Sequence, residues 1–131
     1  PEYDTVRNME GCGAKLTPRI IAEIGDIRRF KNAGSIIAYG GLDAPPYQSG
    51  QFEATIRHIS KRGNKYLRKA GYEVMKSIKS SGKAGNELYD YISKKEEEGK
   101  AKKVAKIAGL NKFIRMYYGK VREKYRELEI W

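Results

Sequence analysis

The sequence predicts an all-α fold, a compact helical domain with an N-terminal helix-hairpin-helix-like motif, a long irregular arm and a long C-terminal helix. Helix start and stop signals recur along the chain, and apolar residues repeat at three- and four-residue steps through its second half. This helical period is lost between residues 42 and 62. Because 131 residues fit one domain of ordinary size, we take residues 1–131 as a single domain.

The first element is a glycine turn at Gly11-Cys12-Gly13, which precedes a helix. Two glycines let the backbone turn tightly and approach a phosphate, while the N–H groups that begin the next helix point toward such an anion. This pattern is similar to a helix-hairpin-helix motif, which would bind the nucleic-acid backbone through Gly11, Gly13 and Lys15 whatever the base sequence. An ordinary glycine turn explains the same residues equally well.

Two short helices are expected next. Thr17 is a suitable N-cap, with Pro18 at the first helical position and Gly25 as the stop. A second helix is expected from about residue 32 to residue 39, and it should end at the Gly40-Gly41 pair.

Residues 42–62 form the predicted arm, which contains prolines and glycines. Phe52, Ala54 and Ile56 alternate with polar side chains, so a short strand or an extended arm is expected within it. In a compact domain a connection of this length is usually functional or mobile.

The clearest helix follows Asn64, a suitable N-cap, and closes near Gly82. Apolar residues at three- and four-residue steps form a stripe that should face the core. The members of the stripe are Leu67, Ala70, Gly71, Val74, Met75 and Ile78. Four basic side chains fall outside the stripe and should face solvent or a partner, namely Arg68, Lys69, Lys76 and Lys79.

Two further helices complete the predicted fold. One should run from about residue 86 to residue 95 with Leu88, Tyr91 and Ile92 inward. The last helix is long, and its inward positions have heptad spacing. These positions are Val104, Ile107, Asn111, Ile114, Tyr118, Val121, Tyr125 and Leu128. Packing against the domain's own helices is favoured, and a dimer contact is the alternative.

The charge distribution indicates a polyanion partner. Lysine and arginine outnumber the acidic residues by 27 to 16, and residues 57–79 hold eight cations against one acid. A solvated surface would intersperse both signs, so we expect DNA or structured RNA to bind here. The expected phosphate contacts are Arg57, Lys61, Arg62, Lys65, Arg68 and Lys69.

The composition argues against a disulfide, a metal site and a membrane span. The single cysteine, Cys12, cannot form an internal disulfide, so a reducing cytoplasm is the expected setting. Cys12 and His58 are the only soft metal ligands, whereas a zinc site needs about four. No stretch reaches the ~18 apolar residues that span a bilayer, so no membrane partner is expected. No cofactor is expected for this chain itself.

Three segments together carry a resemblance to a known family. They are Tyr39-Gly40-Gly41-Leu42-Asp43, Tyr47-Gln48-Ser49-Gly50 and Ile59-Ser60-Lys61-Arg62-Gly63-Asn64. In this order the chain resembles the C-terminal domain of the Piv-like insertion-sequence transposases, which pair a DEDD nuclease domain with a serine and use a bridge RNA. The resemblance extends from about residue 11 to residue 118.

This resemblance implies that the family's nucleophile falls on Ser49, whose hydroxyl would attack a DNA phosphodiester and form a covalent phosphoserine intermediate. It also implies a RuvC-like DEDD domain upstream, absent from this chain, that holds magnesium. The full-length enzyme would then be a homo-oligomer guided by RNA, and this chain alone should not cut DNA. Judged without the resemblance, Ser49 is a turn serine, and Ser60 competes with it for the role.

Two other classes of function fit the same residues. One is a stand-alone helix-hairpin-helix module that binds nucleic acid without chemistry. The other is a helical assembly domain whose last helix mediates dimerisation.

Overall fold

The computed structural model describes residues 1–42, 63–82 and 84–131. Within these ranges every regular element is a helix and there is no strand, which confirms the predicted all-α fold. The elements are α1 (Tyr3–Arg7), α2 (Leu16–Ile24), a 3-10 turn (Ile27–Arg29), α3 (Ala33–Tyr39), α4 (Lys65–Ser81), α5 (Glu87–Glu97) and α6 (Lys102–Glu127). The predicted arm, with its suggested strand, falls outside the described residues apart from Leu42.

The long helix α6 is the centre of the fold. It has 26 residues and is therefore about 39 Å long. It packs against α1, α3, α4, α5 and the 3-10 turn, while α2 packs against α1 and α4. A single hydrophobic core thus forms around α6 and includes the largest buried side chains, among them Phe113 and Tyr117.

Helix α4 follows the prediction in its cap and its phase. The side chain of Asn64 accepts hydrogen bonds from the backbone N–H groups of Tyr66 at 2.9 Å and Leu67 at 3.1 Å. All six members of the predicted apolar stripe are buried, and Gly82 is the C-cap. Both the N-cap and the inward face of this helix are therefore confirmed.

The predicted start of α2 is wrong. The helix begins at Leu16 with Lys15 as N-cap, because the backbone N–H of Thr17 already donates to the carbonyl of Gly13 at 3.0 Å. Thr17 is buried in the first turn, and its hydroxyl has no partner among the described residues. Pro18 is tolerated as the third helical residue, since N–H groups of the first turn need no intrahelical acceptor. The predicted stop at Gly25 is confirmed.

The smaller helices differ slightly from the prediction. Asn32 precedes α3 as its N-cap, and its side chain accepts from the backbone N–H of Ser35 at 3.0 Å. Helix α5 ends at Glu97, two residues later than expected, and Tyr91 is only half-buried. No helix in the described part of the chain is both long and apolar enough to cross a membrane.

The predicted heptad positions of α6 are wrong at both ends of the helix. Val104 is 40% exposed and Leu128 is 45% exposed. Several buried positions were missed, namely Ala105, Gly109, Leu110, Phe113 and Tyr117. The physical reason is that α6 has neighbours on several sides, so its buried face is wider than the narrow seam of a two-stranded coiled coil.

Candidate nucleic-acid interface

Three lysines form an exposed stripe on α4, on the side away from the core. Lys65, Lys69 and Lys76 are exposed, and 3.6 residues per turn place them within about 40° of one another around the helix axis. None of them has an ion-pair partner within the described ranges. The α4 stripe, as we call these three residues, runs over roughly 17 Å of helix.

Arg68 was predicted to contact phosphate, and the structure gives it a contact within the fold. Its side chain is half-buried, and Nη1 donates to the carbonyl oxygen of Gly40 at 3.0 Å. This bond ties the first turn of α4 to the end of α3. Phosphate contact by Arg68 therefore stays a prediction, and it would have to coexist with this role.

Lys79 was predicted to face solvent or a partner because it lies outside the apolar stripe, but in the structure its side chain contacts α5. Its Nζ donates to Ser93 Oγ at 2.6 Å and lies 3.2 Å from Glu96 Oε1. The same ammonium sits 4.3 Å from the centre of the Tyr89 ring. Lys79 is therefore half-buried and links α4 to α5, because a long flexible side chain at the edge of a helix can reach the neighbouring helix.

Glu73 is the only acid in residues 57–79, and it is paired with a cation from outside that segment. Its Oε2 accepts from Arg19 Nη1 at 2.8 Å, so this pair joins α2 to α4. Both side chains are partly exposed, which limits the stability that such a pair supplies. Among the described residues Glu73 therefore forms its ion pair with Arg19 and with none of the lysines of the α4 stripe.

A second basic feature was missed by the sequence analysis. Lys102 and Lys106 of α6 lie beside Lys76 and Lys79 in an open groove of about 570 Å³. The available signal was composition, since residues 99–122 contain no acidic residue and eight lysines and arginines. The charge of residues 57–79 lies in one continuous segment, whereas the groove joins two segments that are distant in sequence.

The N-terminal glycine turn contacts α4. Gly11 has φ +84°, and a Cβ atom built there would lie only 2.6 Å from Ile78 Cγ1 and 2.9 Å from the carbonyl oxygen of Val74. Gly11 is therefore required for close packing against the core. A Cβ atom at Gly13 would meet nothing within 4 Å, and Lys15 is exposed. A backbone contact to phosphate stays a prediction, and Gly13 and Lys15 have the open space for it.

The two flanks of residues 43–62 are held together. The backbone N–H of Asn64 donates to the carbonyl of Tyr39 at 2.8 Å. Asn64 Nδ2 donates to Tyr39 Oη at 3.0 Å and to Glu23 Oε1 at 3.1 Å. With the bond from Arg68 to Gly40, these contacts fix the point where the chain leaves α3 and the point where it enters α4.

Several predicted site residues lie outside the described residues. They are Ser49, Arg57, Lys61 and Arg62, together with the competing Ser60 and the histidine His58. Among the residues that the structure describes, no group of three or more His, Cys, Asp or Glu side chains could hold a metal ion. Cys12 is buried, and burial raises the pKa of its thiol to about 11, so it is not an activated nucleophile.

Comparison with known proteins places these features in context. The family model described as "Transposase IS116/IS110/IS902 family" matches residues 3–90. Proteins named "Pilin gene-inverting protein" from Moraxella bovis and Moraxella lacunata are each 29% identical over 113 residues, which is 86% of this chain and 34% of theirs. The chain thus spans about a third of the length of these curated relatives. No solved structure is detectably similar to it.

Proposed function

The chain belongs to the IS116/IS110/IS902 transposase family, and on that basis we propose that it is the DNA-contacting, serine-bearing part of a transposase or site-specific recombinase. The names of its relatives support a role in DNA rearrangement, since both are called gene-inverting proteins. The proposal assigns DNA binding to the described residues and strand cleavage to Ser49.

The observation that carries the DNA-binding part is the α4 stripe. Lys65, Lys69 and Lys76 project from a helix whose opposite face is fully buried, so their positions are fixed by the core. Lysine is a compact point charge that suits phosphate oxygens and does not read bases. The stripe therefore fits contact with the sugar-phosphate backbone of DNA, whatever the base sequence.

Support for the role of Ser49 comes from family membership and from the held flanks of its segment. Tyr39 and Asn64 anchor the chain on either side of residues 43–62, so a segment that carries a nucleophile would start from a defined place on the domain. In the proposed step a bond forms between Ser49 Oγ and the phosphorus, and a P–O bond of the DNA breaks. The serine proton passes to a base, and the leaving oxygen takes a proton.

The metal and the RNA guide rest on the family alone. The described residues offer no carboxylate cluster that fits magnesium, so we assign the ion expected in the full-length enzyme to none of them. We also propose a helix-hairpin-helix contact to the nucleic-acid backbone, which would use Gly13 and Lys15. For the full-length protein we propose a homo-oligomer and a guide RNA, and we assign no residue to either.

A salt titration tests the DNA-binding part of the proposal. For the 131-residue chain, the affinity for duplex DNA should fall steeply with salt, because each phosphate neutralised releases about 0.9 counterion. Lys65→Gln/Lys69→Gln should lower the slope of log affinity against log salt by about 1.8. The control Lys120→Gln/Lys124→Gln has the same spacing and charge loss, but its lysines lie beside Glu123 and Glu127. Equal losses in both variants would contradict the α4 stripe.

A stand-alone binding module without chemistry is the second candidate, and the salt titration does not separate it from the first. The separating measurement is a covalent protein–DNA adduct in the full-length protein, which a binding module does not form. Hairpin RNA in competition with duplex DNA shows whether RNA shares the same surface.

A further inference from the structure

Lysines from two separate helices line one groove on the surface of the domain. Lys76 and Lys79 come from the second half of α4, and Lys102 and Lys106 come from the first two turns of α6. The remaining lining residues are Ser77, Ser80 and Glu96. Among the described residues the lining side chains are all charged or hydroxyl-bearing, and the aliphatic stems of the lysines form part of the walls beside their ammonium groups.

The groove keeps a strong positive charge after its internal ion pair is taken into account. Lys79 and Glu96 neutralise each other at 3.2 Å. In the described part of the chain no acid pairs with Lys76, Lys102 or Lys106. Lys102 and Lys106 are also like charges at i and i+4 on one helix, an arrangement that lowers helix stability. Three uncompensated charges are unfavourable in the free protein, and a bound polyanion would neutralise them.

We propose that this groove binds the phosphodiester backbone of DNA and extends the surface of the α4 stripe onto α6. Lys76 belongs to both features, so the two are continuous. Among the described residues no aromatic ring or hydrophobic side chain lines the groove, which favours contact with phosphates over base stacking or lipid insertion. Ser77 supplies a hydroxyl group that suits phosphate oxygens, whereas Ser80 Oγ donates to the carbonyl oxygen of Ser77 at 3.3 Å. The inference rests on the proposed DNA-binding function.

The test compares three double variants that each remove two lysines at i and i+4. They are Lys102→Gln/Lys106→Gln in the groove, Lys65→Gln/Lys69→Gln on the α4 stripe and the control Lys120→Gln/Lys124→Gln on the same helix as the groove pair. Glutamine keeps the helix propensity of lysine, and circular dichroism verifies the fold of each variant. Affinities for a duplex DNA and for a hairpin RNA are measured at several salt concentrations.

The groove variant should have a salt slope for duplex DNA that is about 1.8 lower than that of the parent chain. The control variant should keep the slope of the parent chain. The proposal that the groove binds DNA is overturned if the slope drops equally in the groove and control variants. It is also overturned if the slope of the groove variant does not drop. If only the α4 stripe variant has a lower slope, the groove does not bind DNA and the proposed DNA-binding function stands. If the parent chain does not bind DNA, both fail. Loss confined to the hairpin RNA overturns the assignment to DNA.

Discussion

Tyr125 Oη donates a 2.9 Å hydrogen bond to Glu2 Oε2, which joins the last helix to the N-cap residue of α1. Both side chains are buried, with Glu2 7% and Tyr125 4% exposed. Burial, and then the hydrogen bond to Glu2, raise the pKa of Tyr125 to about 12 from its usual value of 10.0. The contact therefore links the two ends of the described fold through a phenol that stays protonated.

The first prediction is that Tyr125→Phe lowers the free energy of unfolding by about 1–3 kcal/mol, because it leaves the buried Oε2 atom of Glu2 without its donor. The loss should depend on pH. Because the pKa of Tyr125 is raised in the folded state, its contribution is full below pH 10 and falls as the pH rises toward about 12. Denaturant unfolding at pH 8 and at pH 11 should show a smaller difference between parent and variant at the higher pH.

The second prediction uses Tyr117, a buried tyrosine whose hydroxyl has no partner among the described residues. Tyr117→Phe removes an unsatisfied polar group and keeps the ring, so the free energy of unfolding should stay equal or rise by up to ~1 kcal/mol. The two Tyr→Phe variants are thus matched in chemistry and opposite in expected sign. A clear destabilisation by Tyr117→Phe would mean that its hydroxyl has a partner.

The third prediction separates the two faces of α4. Val74 is fully buried, so Val74→Asp should unfold the domain, since an unpaired charge in the core costs several kcal/mol. Lys76 is exposed, so Lys76→Glu should change the melting temperature little while weakening DNA binding. Thermal unfolding and DNA titration of both variants check this. Two variants that melt like the parent chain would be incompatible with the observed phase.

The contrast between α4 and α6 shows which features of this fold are predictable from sequence. In α4 the signals are local, because Asn64 caps the helix and one side of it is apolar. In α6 the phase depends on which neighbours pack where, and Tyr117 is buried although the heptad spacing did not include it. Local patterns therefore fix the elements, whereas burial on a helix with several neighbours depends on tertiary packing.

In the candidate interface, too, the features that depend on one helix were predictable, and the contacts between helices were not. The exposure of Lys69 and Lys76 follows from helix phase alone. The contact of Lys79 with Ser93 and Glu96 depends on how α5 packs against α4, which no local pattern reveals. The groove was missed for the same reason, since Lys102 comes beside Lys76 only when the helices assemble.

The fourth prediction concerns the first turn of α6. Ala101 is its N-cap, with the extended backbone usual for that position (φ −60°, ψ 150°), and it offers no side-chain hydrogen bond. Ala101→Ser should therefore stabilise the domain by ~0.5–2 kcal/mol by accepting a backbone N–H bond. Asn64→Ala should have the opposite sign, because it removes the observed cap of α4 together with the bonds to Tyr39 and Glu23. Denaturant unfolding measures both, and an unchanged midpoint for Ala101→Ser would contradict the prediction.

The fifth prediction tests the serine chemistry in the full-length enzyme, where Ser49→Ala should abolish strand cleavage and leave DNA binding largely unchanged. The α4 stripe projects from a helix that the core of the domain holds in place through its buried apolar face, and Ser49 is not part of that helix. Loss of one hydroxyl should therefore not alter the stripe. If Ser49 is the nucleophile, the substitution removes the covalent route itself and not a fraction of its rate.

The measurement is the trapping of a covalent protein–DNA adduct on a denaturing gel, with magnesium present. The full-length parent, Ser49→Ala and Ser60→Ala are compared, since Ser60 lies in the same segment. An adduct in the parent and in Ser60→Ala, with none in Ser49→Ala, supports Ser49. The reverse pattern moves the nucleophile to Ser60. An adduct in both variants excludes each serine as the sole nucleophile, because neither hydroxyl is then required for the bond to DNA.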